Sequence, residues 1–307
     1  MRVTQSMLTN NLLRNLNASY SKMGKLQEQI ESGTVISRPS DDPVVAIKGM
    51  DYRVELDKNN QYQRNLSQAN TWLDTSDEAL GQVGEVLLRV KELVVQASNG
   101  TNTADDRSVI ETELSELKKQ LRDIGNSRVG DDFIFSGTQT STPLYLEGDE
   151  GQNEAITESG KTGTIKLNTF DGVSLQVNAN ASDIFHEMDT FMASVSELLK
   201  SNASSQEISD ALGSSIGTNG VTTIPGLDKV NSDVLTLRAQ IGAKQNRVEL
   251  MQNRLQIQNV NVTKQMSENE DTDYALAITQ LSAAESIHQS SLSVGAKIIK
   301  QTLVDFM

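Results

Sequence analysis

The chain has 307 residues, a formal charge of −14 and 4% aromatic residues, with Trp72 its sole tryptophan. That balance disfavours a nucleic-acid binder, which needs clustered Lys and Arg to displace counterions from phosphate, and likewise anionic membrane surfaces. Scarce rings argue against the compact centre of a globular enzyme, and the lack of cysteine removes disulfides, thiolate metal sites and cysteine nucleophiles together.

Residues 3 to 32 place Leu12, Leu16, Met23, Leu26 and Ile30 at helical spacing between polar residues, which predicts a helix with one narrow apolar stripe. The opening MRVTQSMLTNNLLRNL is broken by polar residues where a cleaved secretory signal needs a continuous apolar stretch. No run of roughly 18 apolar residues occurs, so no membrane insertion is expected. Gly33 is expected to close the first helix in the left-handed conformation. In Arg38-Pro39-Ser40-Asp41-Asp42-Pro43, Asp42 reads as an N-cap and Pro43 as the first residue of a second helix.

The second helix is long. Leu66, Leu73, Leu80, Leu87 and Val94 form a heptad, Tyr62, Ala69, Val83, Val90 and Ala97 fill the companion positions, and only Ser76 departs from the pattern. Asn99-Gly100 ends it, and Thr103 is placed to cap a third helix with Ile110, Leu114, Leu117, Leu121 and Ile124 on one side. Gly130 is expected to close that helix.

From residue 131 the period changes. Phe133-Ile134-Phe135 reads as a short strand, and Ile165, Leu167, Val173, Leu175 and Val177 around Phe170-Asp171-Gly172 predict a hairpin. Residues 182 to 200 read as an amphipathic helix, and the Ser/Asn/Gly-rich run 201 to 226 as a loop or a poorly ordered insert. Residues 140 to 227 carry 12 acidic and 3 basic side chains and are therefore expected to face water. Val234, Ile241, Val248, Leu255 and Val262 then form an unbroken heptad, with Val230, Leu237 and Met251 between. After an acidic interruption at Glu268-Asn269-Glu270-Asp271, a narrow stripe of Tyr274, Ile278, Leu281, Ala284, Leu292, Ile299, Leu303 and Phe306 continues.

The fold class that follows is mainly α: long antiparallel coiled-coil helices formed by the N- and C-terminal regions, with a small α+β middle domain. The expected division is an N-terminal assembly segment 1–42, a coiled-coil domain 43–138 with 228–265, a variable middle domain 139–227 and a C-terminal assembly segment 266–307. Apolar heptads are most often intramolecular core, and the inner helices are read so. Each terminal stripe is too narrow for a bundle interior, so the ends are expected to pack as an assembly interface, Leu12, Leu16, Met23, Leu26 and Ile30 against Ile278, Leu281, Leu292, Ile299, Leu303 and Phe306, and to gain order when copies surround them.

No catalytic, cofactor-binding or metal site emerges. His186 and His288 lack the partners of a zinc-protease motif, and Asp131-Asp132 and Glu268 to Asp273 lack the oxygen spacing and central glycine of a calcium loop, so they read as solvated charge and helix caps. A surface enzyme or adhesin in residues 140 to 227 is the competing reading from another class.

These residues resemble the flagellin superfamily. Gln29-Ile30-Glu31-Ser32-Gly33 followed by Arg38, Pro39, Ser40, Asp41, Asp42 and Pro43 is similar to its amino-terminal region. The run Arg238-Ala239-Gln240-Ile241-Gly242-Ala243-Lys244-Gln245-Asn246-Arg247 and the tail from Asp271 are similar to its carboxy-terminal region. Ser40-Asp41-Asp42-Pro43 and Asp132 to Thr138 resemble the hook-filament junction branch more than filament flagellins, which usually have an Asp-Asp-Ala-Ala-Gly type sequence; Val129 and Asp132 depart from that branch's tyrosine or glycine. The resemblance implies a non-enzymatic subunit exported through the flagellar type III apparatus without a cleaved signal to an extracellular place on the bacterial flagellum. It also implies a homo-oligomeric ring between a hook-side junction protein, hook-associated protein 1, and flagellin, and a cytosolic export chaperone that holds Tyr274 to Phe306. A filament flagellin is the alternative within the superfamily.

Overall fold

The computed structural model describes residues 5–145, 163–201, 206–208, 216–218, 222–224 and 226–304. Its helices are α1 (Gln5–Ser32), α2 (Pro43–Ala97), α3 (Ala104–Gly125), α4 (Ser182–Lys200), α5 (Leu227–Glu270) and α6 (Tyr274–Val304). Antiparallel two-stranded hairpins join β1 (Arg128–Val129) to β2 (Asp132–Phe133), β3 (Lys166–Phe170) to β4 (Val173–Gln176), and β5 (Ile216–Thr218) to β6 (Thr222–Ile224). The chain forms two compact units, one of residues 60–256 and one combining the chain up to Asn59 with the chain from Ile257 onward.

In the 60–256 unit, α2 and α5 run antiparallel, since partners on α2 rise in number as those on α5 fall. Gln245 Nε2 donates to Asp74 at 2.8 Å, Arg238 grips Asp77 at 2.9 and 3.3 Å, and Lys91 meets Asp228 at 3.0 Å. Both heptads are buried between them: Leu66, Leu73, Leu80, Leu87 and Val94 on one helix, Val234, Ile241, Val248 and Leu255 on the other. Ser76, the one polar residue in the α2 repeat, is buried without an orphaned hydroxyl, because its Oγ donates to the Trp72 carbonyl one turn back at 2.7 Å.

The segments between the long helices share this core. Leu175, Val177, Phe185, Met188, Phe191 and Val195 belong to the same buried cluster as Leu73 and Ile241. Helix α4 is clamped to α3 by charge: Asp189 accepts from Arg122 Nε at 2.9 Å and Nη2 at 3.2 Å, and Lys118 Nζ stands 3.5 Å away. The β3–β4 hairpin turns at Gly172, whose φ of +72° suits glycine. Phe170 at its tip stacks on Tyr62 with centroids 6.2 Å apart and lies under Arg254 at 4.4 Å, while the Tyr62 hydroxyl donates to Asp171 at 2.7 Å, a bond that raises the phenol's pKa.

Local signals hold at most element ends. The Asp42 carboxylate accepts from Val44 and Val45 N–H groups at 3.0 and 3.2 Å, and Thr103 with Asp106 forms a reciprocal capping box on α3. Gly130 does not close α3, however: that helix stops at Gly125 with Asn126 as C-cap, and Gly130, at φ +62°, instead makes the turn of the β1–β2 hairpin. Strand pairing ends at Phe133, and Ile134 and Phe135 continue into the core as buried irregular chain. Within 201 to 226 the described residues include the β5–β6 hairpin, where a loop or a poorly ordered insert was expected.

Candidate assembly interface

The unit that unites the two chain ends is built from α1, the first turns of α2, the last turns of α5, and α6. Helices α1 and α6 lie antiparallel. Leu12 packs on Gly295, with its Cδ2 2.7 Å from where a Cβ would stand; the Tyr20 and His288 rings face each other at 6.2 Å; and Gly33 lies beside Tyr274. On the α1 edge Leu26 is 6% exposed, and Leu12, Leu16, Met23 and Ile30 are half-buried.

The α6 edge differs from expectation. Ile278 and Leu292 are 52% and 49% exposed. The residues turned inward are Ala277, Leu281, Ala284, His288, Ser291 and Gly295, which repeat at alternating spacings of four and three as the α1 stripe does. The four small residues among them let the helix axes approach, so the bulky α1 residues fill the narrow gap, and Ile278, Ile287, Leu292 and Val294 remain outside. The helical backbone at Ile299 and Leu303 is described, but the side chains of both, and Phe306 as a whole, lie outside the described residues. On its open flanks α6 shows Tyr274, Leu276, Ile278, Ile287, Leu292 and Val294, and a shallow apolar notch lined by Leu12, Ile287, Ser290, Ser291 and Val294 opens beside the seam.

Where the chain leaves α1 for α2 and α5 for α6, the two connections pair with each other. Val35 N–H donates to the Glu270 carbonyl at 2.7 Å, Thr272 N–H donates to the Gly33 carbonyl at 2.9 Å, and Thr34 bridges Asp271. Gly33 takes φ +73° here, as a helix-closing glycine should. Asp273 caps α6 by accepting from Ala275 and Leu276 N–H at 3.0 and 3.1 Å. Asp41 tightens the Arg38-Pro39-Ser40 turn by accepting from the Arg38 N–H at 3.2 Å, with Lys25 3.8 Å away.

Glu270 is the exception to the reading of the acidic cluster as solvated charge and helix caps, since Glu268, Asp271 and Asp273 are exposed. It is 6% exposed, and its Oε2 receives Arg53 Nη2 at 2.5 Å. Its carboxylate lies against the surface of α2 where Gly49 has no side chain, and next to it Asn269 Nδ2 donates to the Val45 carbonyl at 3.0 Å. Sequence reading missed this site, although a glycine inside an otherwise regular long helix was a signal that something approaches closely. Of the carboxy-terminal motif residues, which lie in the other unit, Arg238 is engaged with Asp77, Gly242 has open space around it, and Asn246 and Arg247 are exposed.

Among the described residues no group of three His, Cys, Asp or Glu side chains is placed to hold a metal ion, and no helix is long and apolar enough to cross a membrane. His186 is exposed on α4, and His288 is half-buried in the α1–α6 seam.

Two family models match the chain, the bacterial flagellin N-terminal helical region over residues 3–140 and the bacterial flagellin C-terminal helical region over residues 224–307. Flagellar hook-associated protein 3 of Escherichia coli is 25% identical over 95% of either chain, and a flagellin of Halalkalibacterium halodurans is 25% identical over 98% of this chain and 97% of its own. Among solved structures, a flagellar hook-associated protein of Vibrio parahaemolyticus shares the fold at a TM-score of 0.62, with 24% identity, over 75% of this chain and all of its own. Bacillus cereus FlgL does so at 0.56, with 17% identity, over 71% of this chain and 99% of its own. Matched at both ends, in this order and with these helices, the chain belongs to the bacterial flagellin family of non-enzymatic structural components of the flagellum.

Proposed function

We propose that this chain is the adaptor subunit between the flagellar hook and the flagellin filament, assembled as a ring through the terminal segments 1–42 and 266–307. The observation that carries the assembly reading is α6: paired with α1 along one edge only, it leaves Leu276, Ile278, Ile287, Leu292 and Val294 facing water. Large apolar residues on both flanks of a helix are stable in water only when something covers them. Neighbouring copies of the same helix pair supply that cover; of the assembly set, Leu26 and Leu281 hold the helix pair together within each copy, and Leu12, Leu16, Met23, Ile30, Ile278, Leu292, Ile299, Leu303 and Phe306 are the contacts offered to neighbours.

The adaptor role, as against the filament role, is supported by the end-to-end similarity to hook-associated protein 3 and by the Ser40-Asp41-Asp42-Pro43 turn. A filament flagellin is the second reading, favoured by the equally complete match to a flagellin. Under the adaptor reading the chain is exported unfolded through the flagellar type III channel. A cytosolic chaperone covers Tyr274 to Phe306 until export, and the chain then assembles outside the cell between hook-associated protein 1 and flagellin.

The experiment is a strain lacking this gene. The adaptor reading expects hooks without filaments and flagellin monomer shed into the medium; hooks bearing filaments would refute it. In the complemented strain, Leu16→Asp is expected to leave the protein secreted but not incorporated, and normal filament growth with Leu16→Asp and Leu303→Asp combined would remove the role given to those positions.

A further inference from the structure

The elbow where the terminal helices leave α2 and α5 contains an arrangement that helix packing alone does not call for. Glu270 is the last residue of α5, where a negative charge opposes the helix dipole. Gly49 lies inside α2, where glycine is unfavourable. Each is explained by the other. A Cβ at position 49 would fall within the Glu270 carboxylate, so glycine is what lets that carboxylate lie on α2, and Arg53, one turn further along the same face, neutralises it at 2.5 Å. The Glu270 carbonyl meanwhile accepts the Val35 N–H from the loop entering α2. One residue thus fastens α5 to α2 by its side chain and to the α1–α2 connection by its backbone.

We propose that Gly49, Arg53 and Glu270 form a positioning latch that fixes where α1 and α6 depart from the α2 and α5 segments of this unit, independently of the α1–α6 seam. Its consequence, that copies present their terminal helices in one orientation for assembly, rests on the adaptor reading above. The latch itself is a property of the single chain. Order in the free monomer therefore extends as far as Val35 and Thr272, even where the seam beyond them opens.

Amide hydrogen exchange on the full-length monomer tests this. The Val35 and Thr272 amides are expected to be protected, and Gly49→Ala to reduce both protections by about tenfold or more, the change that follows loss of one charge-assisted hydrogen bond. In a Glu270→Ala background, where the carboxylate is gone, adding Gly49→Ala should not lower them, since alanine is then the better helix residue. Protection at Leu80, in the other unit, reports that each variant is folded; if Gly49→Ala lowers it, Arg53→Gln, which keeps bulk and removes charge, is read instead and should weaken Val35 and Thr272 alone. Unprotected amides in the parent chain, unchanged protection in the readable variant, or an equal Gly49→Ala effect in both backgrounds overturns the latch. Because assembly is not measured, failure of the adaptor reading in the deletion strain leaves this result standing, and the converse also holds.

Discussion

Disulfide trapping decides which edge of α6 meets α1, because the chain has no cysteine of its own to confuse the product. Leu12→Cys combined with Gly295→Cys is expected to close rapidly: the Leu12 Cγ, whose place a sulfur would take, is 3.8 Å from the Cβ position at 295, near the roughly 3.0 Å that separates a sulfur from its partner's Cβ in a relaxed bridge. Leu12→Cys with Leu292→Cys should close slowly, since Leu292 stands on an open flank at 49% exposure. Leu26→Asp then measures what holds the edge together. Leu26 is 6% exposed, so losing its burial removes about 2 kcal/mol or more, and the carboxylate adds desolvation to that. At 1.4 kcal/mol per decade, the pairing equilibrium constant should fall by about 30-fold or more, and the 12–295 crosslink should form more slowly. Leu13→Asp, at a 52% exposed position on the same helix, should leave the rate within about twofold, since surface substitutions of this kind stay near 0.5 kcal/mol. A 12–292 crosslink as fast as the 12–295 one, or an unchanged rate in Leu26→Asp, would refute the small-residue seam.

Asp189→Ala should destabilise the 60–256 unit by about 2 kcal/mol in urea unfolding, because it strips two charge-assisted bonds from Arg122 and leaves Lys118 beside it without its carboxylate. Adding Lys118→Met should recover part of that loss, and no recovery would mean that the cost was packing and not charge. Burial lowers the Lys118 pKa, and likewise that of Lys244, whose Nζ lies 3.4 Å from the Asn178 carbonyl. With the folded pKa below the unfolded one, the unfolded chain binds more protons between the two values, so the penalty for holding each lysine charged is present at neutral pH and fades as pH rises toward the unfolded value of 10.5. Lys244→Met is therefore expected to stabilise the unit by about 0.5 kcal/mol at neutral pH, a small gain because water reaches the amine, and that advantage should shrink in unfolding curves taken at successively more alkaline pH.

Much of the architecture was legible because it is local. The α2 and α5 heptads needed only their own seven-residue period, and Asp42, Thr103 and Gly172 act within a few residues of themselves. Gly130 misled because a glycine after a helix and a glycine in a tight hairpin ask for the same left-handed backbone, and the choice was made by β1 pairing with β2. The β5–β6 hairpin carries its own short-range signal in the sequence, Thr218-Asn219-Gly220 between Ile216 and Ile224.

What the sequence by itself determined, then, is a family of long antiparallel helices with an insert between them, because heptads, caps and turn residues carry their physics within a few turns of chain. Only the tertiary structure decided which edge of α6 is inside. That helix is apolar on more than one side, so its periodicity permits several seams, and close approach to α1 selects the one where Ala277, Ala284, Ser291 and Gly295 alternate with Leu281 and His288. Only the tertiary structure, too, brought Glu270 to Gly49 and to Arg53, 217 positions away in the chain. A carboxylate flanked by other acidic residues looks solvated until the fold places an arginine and a missing side chain opposite it, because burial is a property of the partner's surface as much as of the residue itself.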